Sequence, residues 1–468
     1  MTHQTLVSRA RAGLRAELRP LLQLAGPVVA AEVGWMTMGL VDSMMVGRVS
    51  PEALGAVGLG GSIFFTVALF GMGLLFGMDY TVAHAFAAGE HDDAHRWLVQ
   101  GAYLALLTAI PGIALLWWSM PYLAALGVRP EVLRHAVPYS RALSWSLLPL
   151  LLLTASRRYL QATNVVMPIM VTVVSANLIN VGANWVLVFG HLGSPALGAE
   201  GSGWATCLAR VYMATCLIGY MWWRERGRHG GLLSVPRGLD RRRFMRLLTL
   251  GLPAAVQMAL ECGVFAAVTT LAARLDASAL AGSRIALNAA SFTFMVPLGI
   301  SAAAAVRVGQ ALGRRQADAA AHAGSTALLV GGLFMISAGV VFLAIPAAIV
   351  RVFTADPTVI AIGATLVIIA AVFQLFDGIQ VVATGALRGT GDTRTALLSN
   401  LIGHWLLGLP LGYLLCFKLD WGVIGLWIGL CVGLVAVATV LLVVWTLRVR
   451  ELAGDFRASV RAEKAQAA

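Results

Sequence analysis

The sequence predicts an all-α polytopic membrane protein with twelve transmembrane helices in two pseudo-symmetric six-helix lobes. Hydrophobic residues make up 59% of the 468 positions and charged residues only 12%, whereas soluble domains average roughly 25% charged residues. A soluble chain of this size would have to divide so much apolar surface among several cores. Lipid removes that requirement, and a repeat of nearly half the chain indicates the two lobes.

Twelve apolar runs predict the individual helices. Each run reaches the ~20 residues that a helix needs to cross the hydrocarbon layer, although Pro111 interrupts the third and Pro410 the eleventh. A basic stretch precedes the first apolar run. This run is longer than the ~7–15-residue apolar core of a signal peptide, so we expect it to be a retained first helix. The predicted helices are 19–47, 53–85, 96–122, 136–160, 166–190, 199–223, 243–273, 279–311, 318–345, 358–387, 395–416 and 421–447.

The basic residues predict the orientation of the helices. The net charge is +12, but the arginines lie between apolar runs, which is typical of membrane topology and not of nucleic-acid binding. Segment 223–246 is rich in arginine, as is the tail after 447, whereas segment 191–201 has no Lys or Arg. One cluster lies on the opposite side, at Arg129, Arg134 and Arg141. We expect a bacterial inner-membrane protein with both termini in the cytoplasm.

An internal repeat divides the chain. Gly26-Pro27 corresponds to Leu252-Pro253, TVAHAFAAG at 81–89 to AVRVGQALG at 305–313, and LQAT at 160–163 to LRGT at 387–390. Six helices per repeat give both halves the same orientation, with a cavity between them, as in many transporters. The predicted parts are a cytoplasmic segment 1–18, an N-lobe 19–223, a cytoplasmic linker 224–242, a C-lobe 243–447 and a cytoplasmic tail 448–468.

Four carboxylates inside predicted helices are singled out: Glu32, Asp42, Glu261 and Asp377. A charge near the bilayer centre costs roughly 2.5–3.5 kcal/mol on insertion scales, so each needs a partner, water or a function. Glu261 comes eight residues after Pro253, roughly 12 Å along its helix. Glu261 and Asp377 are predicted to hold a proton or Na⁺ and to exchange it for a cationic ligand. The alternative is a carboxylate satisfied by hydrogen bonds or by an arginine.

Other polar and aromatic side chains suggest a pocket. Asn180 and Asn184 share one helix face and are predicted to form a polar pocket with Asp42, unless they only pack helices together. Phe294 and neighbouring aromatics either line a cavity for planar cations or pack. The five cysteines have no CxxC spacing, so neither a disulfide framework nor a zinc site is indicated. No cofactor is expected.

Several motifs together resemble the multidrug and toxic compound extrusion family. They are GLVDSMMVG at 39–47, NVGANW at 180–185, GAEG at 198–201 and GALRGTGDTR at 385–394. The similarity extends from about Pro27 to Leu447, and segment 373–392 is most similar to the NorM-type bacterial branch. The resemblance implies alternating access, in which Na⁺ or H⁺ enters as a drug, mainly an organic cation, leaves. We also expect a monomer in membrane lipid, with no nucleic-acid partner and no enzymatic activity.

The resemblance also implies site residues. The coupling-ion acids of the branch fall on Glu261 and Asp377, which are the Na⁺ ligands if Na⁺ is the coupling ion, and its N-lobe acid falls on Asp42. The polar pocket of the branch falls on Asn180, Asn184 and Ser202. Phe373 lies one turn before Asp377, where an aromatic ring faces the ion.

Two positions depart from the family pattern. Glu32 stands where the family often has glutamine, and GSR at 282–284 replaces the usual Gly-His-Gln. We hypothesise that Arg284 pairs with Glu261 or Asp377, which would weaken Na⁺ binding by Coulomb repulsion and favour protons.

Three other classes remain as alternatives. A lipid-linked oligosaccharide flippase has related architecture but more cationic residues in its cavity. A major-facilitator transporter would carry an Asp-Arg-x-Gly-Arg motif where this chain has AGEHDDAHR at 88–96. A membrane enzyme would need a nucleophile or a metal cluster at a helix end, and the histidines form no such group.

Overall fold

The structure is a computed structural model that describes residues 3–125, 128–226 and 235–466, with side chains over 17–123, 128–226 and 235–452. Within these ranges all regular structure is helical. The helices of the first half are α1 (His3–Val46), α2 (Pro51–Leu74), α3 (Gly77–Ala87), α4 (His91–Ser119), α5 (Tyr122–Ala125), α6 (Pro130–Ser144), α7 (Leu147–Ala162), α8 (Met167–Phe189) and α9 (Ala199–Glu225).

The second half has α10 (Arg241–Ala272), α11 (Ala277–Gly313), α12 (Ala317–Ala344), α13 (Pro346–Arg351), α14 (Pro357–Gly389), α15 (Arg394–Asn400), α16 (Leu409–Phe417) and α17 (Gly422–Gln466). A π-helical segment, Leu401–Gly408, joins α15 to α16 into one continuous span. Leucine, alanine, valine and isoleucine dominate these helices, as lipid-facing surfaces require.

The predicted membrane architecture is confirmed. In the described residues, ten helical stretches are long and apolar enough to cross a bilayer, and the pair α6 and α7, bent by 43°, supplies an eleventh. The remaining predicted span is α9, which has 27 residues. Arg210 lies near its middle and lowers its mean hydropathy, so α9 is less apolar than the other spans.

Several predicted spans are interrupted in ways that the sequence did not specify. The second span breaks at Leu75-Phe76 between α2 and α3, and the fourth bends at Trp145-Ser146. Pro111 leaves α4 continuous, whereas Pro410 is the second residue of α16, directly after the π-helical segment. A proline removes one backbone donor, and the wider π turn before it accommodates the irregular hydrogen bonding.

The contacts divide the chain into two compact units. The N-unit is Ala30–Ala255, and the C-unit is Met1–Val29 together with Val256–Ala468. The division falls inside α1 and inside α10, whereas the lobes were predicted to meet in the linker 224–242. The two units are defined by contacts and the predicted lobes by the sequence repeat, so the lobe boundaries stay a prediction.

Close packing at two glycines explains why α1 and α10 are divided in this way. In the C-unit, Gly299 of α11 lies against Val29 of α1, and in the N-unit Gly73 of α2 lies against Ala255 of α10. Both residues of one pair are 226 positions from those of the other, which is the spacing of the sequence repeat. A side chain at either glycine would collide with the facing helix. The beginning of α1 thus packs against α11 of the second repeat, and the beginning of α10 packs against α2 of the first repeat.

The end of the linker is fixed to α4 within the N-unit. The buried Gln100 side chain donates to the Gly238 carbonyl and accepts from the Asp240 backbone N–H, both at 3.0 Å. Tyr103 Oη donates to the Arg237 carbonyl at 2.8 Å. Backbone and side-chain donors of Arg243 lower the pKa of Asp240. Arg228 of the predicted basic linker lies outside the described residues, as do the side chains of the predicted basic termini at Arg9, Arg11, Arg15, Arg457, Arg461 and Lys464.

Candidate coupling site and substrate pocket

In the C-unit, Glu261 of α10 and Asp377 of α14 lie close enough for their charges to repel. Glu261 accepts two hydrogen bonds, from Gln257 Nε2 at 2.6 Å and from Gln380 Nε2 at 3.1 Å. Gln257 lies one turn before Glu261 on the same helix face, and Gln380 lies nearly one turn after Asp377 on α14. Asp377 is 7% exposed. The structure therefore brings the two predicted acids together, with two glutamines that the sequence analysis did not single out.

The charges of this pair of acids are not balanced by a basic side chain. Among the side chains described, neither Glu261 nor Asp377 has a Lys, Arg or His nitrogen within 4.0 Å. The hypothesis that Arg284 pairs with one of them is not met, because Arg284 is exposed on α11 and makes no such ion pair. Its neighbours Gly282 and Ser283 are buried, so Arg284 lies on the exposed side of α11.

Aromatic side chains pack beside the acids. Phe373, one turn before Asp377, is 3% exposed and makes edge-to-face contacts with Phe265 and Trp427, each with ring centroids 6.1 Å apart. Phe294 is half-buried on α11. Phe373 is thus held in an aromatic cluster, and its predicted orientation toward an ion stays a prediction.

In the N-unit, Asp42 of α1 has the predicted polar surroundings. Asn184 Nδ2 donates to its Oδ1 at 2.7 Å, and Thr206 Oγ1 donates to its Oδ2 at 2.6 Å. Asn180 and Ser202 are fully buried, and within the described part of the chain Asn180 Oδ1, Asn184 Oδ1 and Ser202 Oγ have no hydrogen-bonding partner. Buried polar atoms are usually paired, so unpaired oxygens around a carboxylate fit a site that takes a cation or water. Among the hydrogen-bond donors to Asp42, Thr206 was not predicted from the sequence.

The other predicted acid, Glu32, has a different role. It forms an ion pair with Arg157 of α7 inside the N-unit, with 16% of each side chain exposed. The alternative of a carboxylate satisfied by an arginine therefore holds for Glu32. The two residues are 125 positions apart, and nothing in the sequence indicates that they meet.

Two charged groups were missed although the rule that identified the acids also applies to them. Asp79 of α3 is 1% exposed and pairs with Arg158, with 3.3 Å between Asp79 Oδ2 and Arg158 Nη1. Arg210 lies in the middle of α9 and acts electrostatically on Asp42. Both stand inside predicted spans, so applying the same rule to every acid and every cation in those spans would have found them.

Comparison with known proteins agrees with this architecture. The MatE family model matches residues 27–186 and again 253–414, which reproduces the internal repeat. A probable multidrug resistance protein NorM of Mesorhizobium japonicum is 37% identical over 443 residues, covering 93% of this chain and 95% of the relative. The multidrug resistance protein PmpM of Pseudomonas aeruginosa is 36% identical over 440 residues, covering 92% of this chain and 91% of the relative.

Solved structures share the fold. The crystal structure of the eukaryotic MATE transporter AtDTX14 superposes with a TM-score of 0.84 at 22% identity, over 94% of this chain and 99% of that one. A MATE in the bent conformation gives a TM-score of 0.85 at 17% identity, over 95% and 98% of the two chains. With two matches to the family model and NorM relatives along nearly its whole length, this multi-pass membrane protein belongs to the MatE family of multidrug and toxic compound extrusion transporters.

Proposed function

We propose that the protein is a secondary active exporter that exchanges Na⁺ or H⁺ for organic, mainly cationic, drugs by alternating access. The observation that carries the proposal is the pair Glu261 and Asp377, which are close together in the C-unit with no cationic side chain beside them in the described ranges. We place the protein in the bacterial inner membrane as a monomer, with both termini in the cytoplasm.

Electrostatics makes this pair an exchange site. Two neighbouring carboxylates in a low-dielectric environment are not both ionised unless a cation neutralises them. A proton, Na⁺ or a cationic drug each meets that need, so the three compete for the same negative charge. Competition that weakens each ligand tenfold to a hundredfold corresponds to about 1.4–2.7 kcal/mol of coupling.

The surrounding groups accept either coupling ion. Carboxylate and amide oxygens are ligands of hard cations, and Gln380 Oε1 is buried without a partner among the described residues. Glu261 and Asp377 are equally able to hold a proton. Arg284 is exposed and forms no ion pair with either acid among the described residues, so we propose no preference for H⁺ over Na⁺ on its account. Asp42, Asn180, Asn184 and Ser202 form a second candidate ion site in the N-unit.

Neutralising substitutions test the role of the acids. Glu261→Gln and Asp377→Asn each keep the size of the side chain but remove the charge that must be exchanged. In an efflux-deficient host, both variants are expected to lose drug resistance while reaching the membrane in normal amounts. Asp318→Asn is the matched control, because Asp318 is an exposed acid of the same unit, at the beginning of α12. Wild-type resistance in both neutralised variants would refute the proposal.

The coupling ion is identified separately with purified protein in vesicles. Drug movement driven by an imposed Na⁺ gradient at constant pH indicates Na⁺, and movement driven by a pH gradient without Na⁺ indicates H⁺. If neither gradient drives transport, secondary active exchange is excluded.

A further inference from the structure

Arg210 is a cation in the middle of a transmembrane helix that the exchange mechanism does not use. It lies eleven residues after the beginning of α9 and fifteen before its end, so about 16 Å of helix separates it from one end and about 22 Å from the other. Its side chain is half-buried. An arginine at this depth is costly, and such residues usually mark a binding site or a pathway.

The nearby carboxylate does not occupy the Arg210 guanidinium. Asp42 feels the charge of Arg210, but its two oxygens already accept from Asn184 and Thr206. Within the described side chains, no carboxylate oxygen lies within 4.0 Å of Arg210. Arg210 is therefore not held in a direct ion pair with Asp42.

Among the described residues, only one acceptor contacts the Arg210 guanidinium. Nη1 donates to Ser146 Oγ at 2.6 Å, and Nε is buried with no acceptor in the part of the chain that the structure describes. Ser146 lies at the bend between α6 and α7, and its own hydroxyl donates to the Leu143 carbonyl at 2.6 Å. This chain of bonds fixes one corner of the guanidinium. A guanidinium has five N–H donors in a rigid fork that matches a carboxylate.

Aromatic rings frame the same group. The Arg210 guanidinium carbon lies 4.7 Å from the Phe64 ring centroid and 5.5 Å from that of Trp35. Phe64 is buried, whereas Trp35 is half-buried. These rings hold the guanidinium plane by cation–π attraction. A planar aromatic ligand with an acidic group fits this combination of a fixed fork and a ring face.

We propose that Arg210 binds the carboxylate of zwitterionic aromatic substrates, so that the N-unit selects for an acidic group on the exported molecule. This inference rests on the proposed export function and adds a specificity-determining residue to it. A carboxylate would engage the free guanidinium donors in a bidentate pair while its aromatic part lies against Trp35.

A matched pair of fluorescent dyes tests the assignment. Rhodamine 110 carries a free carboxyl group, and rhodamine 123 is its methyl ester, so the two differ in the group that Arg210 would bind. Binding of each dye to the full chain in lipid nanodiscs is measured by fluorescence anisotropy, for the wild type, Arg210→Gln and Arg210→Lys. Binding of the ester by each variant reports whether that variant is folded.

The expected result is selective. Arg210→Gln should weaken rhodamine 110 binding on the order of 10- to 100-fold, as expected for a lost charge-assisted bond, and should not weaken rhodamine 123 binding. Arg210→Lys should give a smaller loss, because an ammonium keeps the charge but not the fork. Equal losses for both dyes would show that Arg210 only supports Asp42 or the fold, and unchanged rhodamine 110 binding would also overturn the assignment.

The same dyes separate this inference from the proposed function. If the wild type binds and exports rhodamine 123 but its rhodamine 110 binding does not depend on Arg210, only the inference fails. If the wild type binds and exports neither dye, both the export of aromatic cations and the role of Arg210 are refuted.

Discussion

Gly73 offers a direct test of the helix packing that divides α1 and α10 between the two units. A Cβ atom at this position would lie 2.5 Å from Ala255 Cα and 3.0 Å from Ala255 N. Both obstructing atoms belong to the backbone of α10, so no rotamer change relieves the collision. We therefore expect Gly73→Ala to push α10 away from α2.

The size of the effect follows from known overpacking costs. Forcing an extra methyl group into a tight contact typically costs about 1–3 kcal/mol. Gly219 provides the control, because it lies well inside α9 and a Cβ atom added there would have no described neighbour within 4 Å. Replacing such a helical glycine by alanine stabilises by roughly 0.5–1 kcal/mol. The same chemical change should therefore have opposite signs at the two positions.

Thermal unfolding in one detergent, followed by tryptophan fluorescence, measures both variants. With about 2–4 °C per kcal/mol for domains of this size, Gly73→Ala should lower the melting temperature by roughly 2–12 °C, and Gly219→Ala should raise it slightly. A Gly73→Ala protein that melts at or above the wild type would refute the packing. The repeat supplies a further check: Gly299→Ala collides with Val29 Cγ2 at 2.5 Å, so adding Val29→Ala should recover part of its loss.

Two more predictions concern polar contacts. Gln100→Leu removes the hydrogen bonds to the Gly238 carbonyl and from the Asp240 N–H, at about 0.5–1.5 kcal/mol for each bond, so protease cleavage near 235–240 should become faster; the control Tyr103→Phe, which removes one exposed bond, should have a smaller effect, and equal rates would contradict the docking. Glu32→Gln should destabilise by about 3–5 kcal/mol because it strands Arg157, and the double variant with Arg157→Gln should melt higher than Glu32→Gln alone; additive losses would show that the pair is not coupled.

The sequence by itself determined the membrane architecture. A helix that crosses lipid must satisfy its own backbone hydrogen bonds and carry an apolar surface, so each span is visible as a local run of residues. The repeat was readable for the same reason, since 226 positions separate matching prolines, and the family model matches at both places. The cost of a buried charge also identified Asp42, Glu261 and Asp377 as residues that need an explanation.

Only the tertiary structure decided which group pairs with each buried charge. Glu32 meets Arg157 across 125 positions and Asp42 meets Asn184 across 142, while Arg284 lies on the exposed face and Arg210 stands among aromatic rings beside Ser146. Apolar periodicity records that a helix is buried but not which helix faces it. Pairing depends on rotation and contact between distant helices, and those are set by the packing of the whole bundle.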